Sequence, residues 1–279
     1  MNNKVIYGDN LDVLRKMESK SVNLIYIDPP FNTGKIQILN SVKSLAVEEG
    51  GNVGFGGRRY VQEKINSNEY EDSFTDYYGF LRERLVGAYR ILKDDGSLFF
   101  HIDWRESHYC RLILDEIFGR NNLKNELIWS YDFGGRPKNK WPCKHDTIFW
   151  YVKDRDNYTF NYDAIDRIPY LAPALVGAEK AERGKVPSDC WWNTIVPTNG
   201  HERTGYPTQK PMGILRRIIL VHSNENDVVM DFFAGSGTTG MACIENNRNF
   251  IMVDENIEAI DVMKERFKLY DNVEFIEEI

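Results

Sequence analysis

The sequence predicts an α/β fold: a doubly wound, mostly parallel sheet with an antiparallel edge hairpin and an irregular inserted segment. Three observations carry this. Short apolar runs alternate with stretches of helical spacing towards both ends of the chain, as strands covered by helices on both faces require. Two apolar runs, residues 126–130 and 147–152, flank a polar loop and read as a hairpin. Between residues 154 and 206 the alternation stops, and Pro169, Pro173, Pro187 and Pro197 interrupt any regular element.

In order along the chain, residues 4–7 read as a strand and 10–17 as a helix. Residues 22–27 form a near-continuous apolar run, the mark of a strand buried on both faces. The stretch 32–72 contains GGNVGFGGRR; so many glycines disfavour helix and strand, and it is read as an irregular, mobile flap. Helical spacing returns over 74–92 and stops at Lys93-Asp94-Asp95-Gly96. A strand at 97–102 and an amphipathic helix at 104–118 lead into the hairpin. The inserted segment carries Trp191 and Trp192 side by side, which a linker would seldom do. Beyond it, a helix at 211–222, a strand at 228–232, a helix at 238–246, a strand at 250–253 and a helix at 257–269 complete the alternation.

Composition narrows the function. With 279 residues, 42% of them hydrophobic and 28% charged, the chain can bury one large core. No apolar run approaches the roughly 20 residues of a membrane span, and no basic-then-apolar leader opens the chain, so a cytoplasmic protein without a membrane partner is expected. Cys110, Cys143, Cys190 and Cys243 form no C-x-x-C pair, and the five histidines share no metal spacing, so no metal site is expected and packing or surface roles are assigned to them. A net charge of −7 argues against a broad basic face that coats nucleic acid. A local cationic groove is still compatible with it: in GGRPKNKWPCKH, Arg136, Lys138, Lys140 and Lys144 meet no acid before Asp146.

Two motifs carry chemistry. LIYIDPPFNTGK ends a buried strand on Asp28, stiffens the exit with Pro29 and Pro30, and sets Phe31 on the rim. Such a turn holds the Asp28 carboxylate, the Pro29 carbonyl and an aromatic ring in one arrangement before a ligand arrives. The second motif, VVMDFFAGSGTTGMACIENNRNFIMVDEN, delivers Asp231 on a strand, turns through Gly235 and Gly237, opens a helix at Thr238 and Thr239, and places Asp254 nineteen residues after Gly235. Glycines there let a ligand approach the backbone, and an acid at that distance suits ribose hydroxyls. Gly235-Ser236-Gly237-Thr238-Thr239-Gly240 also satisfies G-x-G-x-x-G, which keeps a nicotinamide- or flavin-dependent oxidoreductase open. Its position late in the chain, and the lack of arginine or lysine at the helix start, weigh against that reading.

Together the motifs resemble the DNA amino-methyltransferases that use S-adenosylmethionine, of the adenine-N6 and cytosine-N4 family, and their order matches the β-class. The likeness covers nearly the whole chain. Asp28-Pro29-Pro30-Phe31 is similar to the D-P-P-[YF] catalytic motif, and Asp231 to Thr239, including Phe233, Ala234 and Ser236, to the cofactor loop. TGYPTQKP resembles a third marker, in which Lys210 either caps the cofactor end of the pocket or serves only the entry to the next helix, and GDNLDVL, with Asp9, resembles the segment that contacts the cofactor's adenine. Phe31, Tyr206 and Asp254 depart from the commoner tyrosine, histidine and glutamate.

The resemblance implies a seven-stranded-type, Rossmann-like methyltransferase fold. Residues 1–153 form its catalytic half with a flap at about 32–72, 154–206 an inserted target-recognition segment, and 207–279 the cofactor-binding half. It further implies methylation of adenine N6 in duplex DNA by base flipping and direct transfer, with cytosine N4 as the alternative and a catalytically silent DNA-binding module as a further one. Arg58, Arg59, Arg136, Lys138, Lys140 and Lys144 are the expected phosphate contacts. Double-stranded DNA is the expected partner, and a cognate restriction endonuclease and a homodimer stay open.

Overall fold

The computed structural model describes the backbone of residues 3–32, 35–47, 52–53, 59–72, 74–197 and 200–278, and the side chains within 3–32, 74–197 and 200–278. In chain order the elements are β1 (Asn3–Tyr7), α1 (Asn10–Lys16), β2 (Val22–Ile27), β3 (Lys35–Val47), β4 (Asn52–Val53), β5 (Arg59–Asp72), α2 (Tyr77–Ile91), β6 (Leu92–Asp103), α3 (Ser107–Leu114), β7 (Leu123–Ser130), β8 (His145–Val152), α4 (Ala178–Arg183), β9 (Cys190–Trp192), α5 (Met212–His222), β10 (Val228–Asp231), α6 (Thr238–Glu245), β11 (Asn249–Asp254), α7 (Ile257–Phe267) and β12 (Val273–Glu277).

Nine strands form one sheet in the order β12-β1-β11-β10-β2-β6-β8-β7-β9. From β12 to β6 every pairing is parallel; β8 runs antiparallel to both β6 and β7. The late strands β10 and β11 fill the slot between β1 and β2, so the two ends of the chain interleave. One face of the sheet is covered by α1, α2 and α3 through Leu14, Leu81, Leu85, Ile91 and Leu114. The other is covered by α5, α6 and α7 through Leu215, Ile218, Ala242, Met263 and Phe267. Burial on both faces is why β2 reads as an unbroken apolar run: Val22, Leu24, Ile25, Tyr26 and Ile27 are all buried. Helix starts follow local capping, with Asp9, Asp76 and Asn256 accepting backbone N–H groups of α1, α2 and α7.

Three expectations are corrected. The irregular flap is instead a long antiparallel hairpin: β3 pairs with β5 from Lys35↔Asp72 to Val47↔Arg59, in a separate sheet with β4. Its glycines fall between the strands, while KIQIL and the stretch before Asp72 carry the β-branched and polar alternation of a ribbon. Within the inserted segment, mostly short turns as expected, Cys190–Trp192 nevertheless adds a parallel edge strand to β7. After α7 the chain forms β12, which pairs with β1. Of the cysteines, Cys110 and Cys243 pack in the interior, whereas Cys143 and Cys190 are exposed.

Candidate active site

Three adjacent parallel strands deliver a carboxyl group to the same edge of the sheet. Asp28 follows β2, Asp231 closes β10 and Asp254 closes β11. A cavity of about 630 Å³ opens there, lined by all three aspartates together with Pro29, Pro30, Phe31, Tyr206, Lys210 and residues 232–236. Ligands collect at the carboxyl ends of parallel strands because the loops and helix starts converge there.

The rigid turn is held from several sides. Tyr77 donates its hydroxyl hydrogen to the Pro30 carbonyl at 2.6 Å, and Asn32 turns the chain away in a left-handed conformation, φ +50°. Lys210 donates to Asp28 Oδ2, and its ammonium stands 5.3 Å from the centre of the Phe31 ring. The other oxygen, Asp28 Oδ1, is buried and takes no hydrogen bond among the described residues. A buried acceptor left open is costly and points to a ligand donor.

The glycine turn is built as a cradle. Gly235 and Gly237 adopt φ +51° and +72°, and a Cβ on Gly237 would lie 2.7 Å from Met263 Cγ. Asp231 anchors the turn by accepting the Phe233 N–H at 3.1 Å and the Thr239 hydroxyl at 2.7 Å. Asp254 accepts the Gly235 N–H at 2.7 Å through one oxygen and the Asn256 N–H at 2.9 Å through the other. Burial dominates both titrations, pushing Asp231 up to about 7 and Asp254 up to about 6. Asn10 ties α1 to the turn by donating to the Phe232 carbonyl at 2.6 Å, while Arg84 donates to Asn10 at 2.5 Å and stacks 3.7 Å over Phe80.

The DNA methylase family pattern matches residues 22–265. The chain belongs to this family. The DNA adenine methyltransferase YhdJ of Escherichia coli (strain K12) is 33% identical over 269 residues, covering 92% of this chain and 79% of that relative. The Type II methyltransferase M.HpaI of Haemophilus parainfluenzae is 30% identical over 278 residues, covering 98% and 78%. Among solved structures, the M1.HpyAVI–SAM complex aligns with a TM-score of 0.59 at 21% identity, covering 95% of this chain and 98% of that one. The cytosine-N4-specific PvuII DNA methyltransferase aligns at 0.64 and 15%, covering 96% and 87%. At these identities the two structures establish the likeness of fold.

In this DNA methylase the expected catalytic and cofactor residues meet in one cavity, with three adjustments. Asp9 is not in the cavity wall: its carboxylate caps α1 and pairs with Arg84, and Asn10 faces the cavity instead. Gly237 also stands outside the wall and acts through its backbone conformation. Lys210, expected at the cofactor end, engages Asp28.

The basic loop between β7 and β8 is exposed, but only part of its charge is free. Arg136 pairs with Asp132 at 2.6 Å, and Lys144 donates to the Phe133 and Gly134 carbonyls of its own loop. Lys138 and Lys140 are exposed. Arg59 opens β5 with its side chain outside the described residues, and Arg58 lies outside them altogether.

Sequence reasoning passed over two kinds of residue. Trp141, 92% exposed, and Phe133 crown the basic loop; of the tryptophan pair that the sequence does mark in the inserted segment, Trp192 is exposed and Trp191 is buried under Arg217. His101, assigned a packing or surface role, is buried 3.9 Å from Asp28 Oδ1. The tryptophan in KNKWPCK was a legible signal, an aromatic amid cations; nothing local marked His101.

Proposed function

We propose that this DNA methylase transfers the methyl group of S-adenosylmethionine to the exocyclic N6 of adenine in duplex DNA, with the target base turned out of the helix. The observation that carries the reading is Asp28 in the wall of the cavity that also holds the glycine turn and Asp254, with its buried Oδ1 left without a hydrogen bond among the described residues. An exocyclic amine is a weak nucleophile because its lone pair is delocalised into the ring. If Asp28 Oδ1 and the Pro29 carbonyl accept its two hydrogens, the nitrogen moves towards tetrahedral geometry and its lone pair is released. Asp28 is acceptor and orienter, not a covalent nucleophile. As the C–N bond forms, the C–S pair would return to sulfur to leave a thioether, and the surplus proton on the nitrogen would leave along its hydrogen bond to Asp28 and on to solvent. Positioning and electrostatics therefore carry the rate. Phe31 offers the base an aromatic face, and Lys210 fixes the second Asp28 oxygen so that the first points one way.

The cavity suits the donor. Its carboxyl groups match a ligand bearing an ammonium and a sulfonium, and each Asp254 oxygen, with one hydrogen bond made, keeps a lone pair for a ribose hydroxyl. The bound donor supplies an electrophilic methyl group on sulfur. Asp254, Asn10 and the turn 233–236 would hold it, and Asp231 would keep that turn in shape. The adenine assignment is supported by the name of the Escherichia coli relative and by aspartate heading the catalytic tetrapeptide.

Duplex DNA would meet the basic loop between β7 and β8, where Lys138 and Lys140 contact phosphates and Trp141 meets bases. A cognate restriction endonuclease is proposed on the Type II name of the Haemophilus relative alone, and a homodimer on the family resemblance alone. The test is transfer of a labelled methyl group to plasmid DNA followed by base analysis. Label on adenine N6 is expected; label on cytosine N4 would overturn the base assignment, and no label with folded protein the whole reading.

A further inference from the structure

Behind Asp28 lies a buried polar chain that the proposed chemistry does not itself use. His101 stands near the end of β6 with its Nδ1 2.7 Å from the Tyr26 hydroxyl and its Nε2 3.2 Å from Asp146 Oδ2. Tyr131 donates to the other Asp146 oxygen at 3.2 Å. Phe31 and Trp129 close over the imidazole. The same Nδ1 is 3.9 Å from Asp28 Oδ1, outside hydrogen-bond range although a small movement would close the gap.

The tautomer decides what this proximity does. A carboxylate can only accept, so Asp146 draws the hydrogen of a neutral imidazole to Nε2, leaving Nδ1 as a bare lone pair. That lone pair takes the Tyr26 hydroxyl hydrogen. The imidazole hydrogen is then committed to Asp146 and the phenol hydrogen to His101, so neither is offered to Asp28 Oδ1. The opposite tautomer would put the hydrogen on Nδ1, where it would meet the Tyr26 oxygen and release the phenol hydrogen. Two donors would then stand beside Asp28 with one acceptor between them, a short movement from the oxygen that the incoming base needs.

We propose that Asp146 and Tyr26 hold His101 in the tautomer that cannot donate to Asp28, so that Asp28 Oδ1 stays open for the amine of the target base. His101, Asp146 and Tyr26 are positioning residues in this scheme; none touches the reacting atoms. The inference rests on Asp28 being the acceptor for that amine.

Asp146→Asn tests it, because the substitution preserves shape and reverses one hydrogen bond. The asparagine oxygen can keep the Tyr131 hydrogen while its amide nitrogen donates to Nε2, which sends the imidazole hydrogen to Nδ1. Two readouts are taken on the full chain: the 15N spectrum of histidine-labelled protein, with His101 assigned by comparison with His101→Gln, and the single-turnover rate of methyl transfer to DNA. The wild type is expected to carry its hydrogen on Nε2. Asp146→Asn should carry it on Nδ1 and lose on the order of tenfold to a hundredfold in single-turnover rate, less than outright loss of a preorganised donor would cost. Affinities for S-adenosylmethionine and DNA should stay unchanged, which a general loss of packing would not allow.

A wild-type spectrum with the hydrogen on Nδ1 overturns the proposal, even if the variant does not fold. A folded Asp146→Asn that transfers methyl at the wild-type rate overturns it equally. Full activity of Asp28→Ala would instead remove the acceptor reading beneath it, which keeps the two failures apart.

Discussion

Replacing Asp231 with asparagine removes a titration from the middle of the sheet edge. Asp231 is 3% exposed, and burial lifts its carboxyl from the usual 3.8 to about 7 despite the Thr239 and Phe233 hydrogen bonds. A group raised in this way binds its proton more tightly folded than unfolded, so folding takes up a proton between about pH 4 and pH 7. The stabilisation is present on the acid side of that window and is lost as pH rises through it. At about 1.36 kcal/mol per pH unit the ceiling is roughly 4 kcal/mol, and between about pH 5 and pH 7.5 the change comes to about 2.5 kcal/mol.

Asparagine keeps the shape but cannot ionise, so its cost in lost hydrogen bonding is independent of pH. Urea unfolding of the donor-free wild type and Asp231→Asn across that range isolates the term, because every other titrating group is common to both. The stability gap between the two proteins should shift by about 2.5 kcal/mol in favour of the variant on going to the higher pH. Parallel pH dependences would refute the argument, since they would mean that Asp231 titrates as it does in the unfolded chain.

Four further outcomes follow from the same geometry. Asp28→Ala should lower methyl transfer by about a hundredfold or more while donor affinity, read by calorimetry, stays within about threefold. Gly237→Ala places a methyl group 2.7 Å from Met263 Cγ at φ +72° and should lower stability by about 2–3 kcal/mol in denaturant titrations. Trp141→Ala, at an exposed site, should leave the melting temperature alone but weaken duplex binding by about tenfold in an anisotropy assay, the scale of one lost stacking contact. Tyr77→Phe removes the hydrogen bond to the Pro30 carbonyl and should lower stability by about 1 kcal/mol, with a larger proportional effect on turnover than on donor binding.

What was legible in the sequence is what short-range physics decides. Val22 to Ile27 announced a doubly covered strand because every residue but Asn23 is buried, and Gly235 and Gly237 announced a turn because few other residues tolerate their backbone angles. The pairing of β2 with β10, which sets Asp28 beside Asp231, was reachable only through the order of the motifs. Long-range partners were not legible. No spacing rule tells that Lys210 reaches Asp28, or that His101 meets Asp146 on a neighbouring antiparallel strand. The hairpin β3–β5 is masked in the sequence by the glycine-rich centre that separates its two strands, although β3 alone carries Ile36, Ile38 and Val42 among polar residues. Asn10 lines the cavity and its neighbour Asp9 does not, since adjacent residues on a helix start face different ways, a distinction the motif alone does not draw.

The placement of β10 and β11 between β1 and β2 bears on how such a chain can be rebuilt. Exchanging either terminal half for that of a cousin would ask foreign strands to pack between β1 and β2, so every exchanged side chain on both faces of the central strands would have to fit a partner from the other parent. The segment 154–206 is different: its one strand in the main sheet, β9, rides on the outer rim beside β7, although Trp191 still packs into the interior, Phe160 stacks on Trp150 and Tyr206 lines the cavity. A graft of this rim must therefore keep Trp191, Phe160 and Tyr206, the residues through which it grips the core and the cavity.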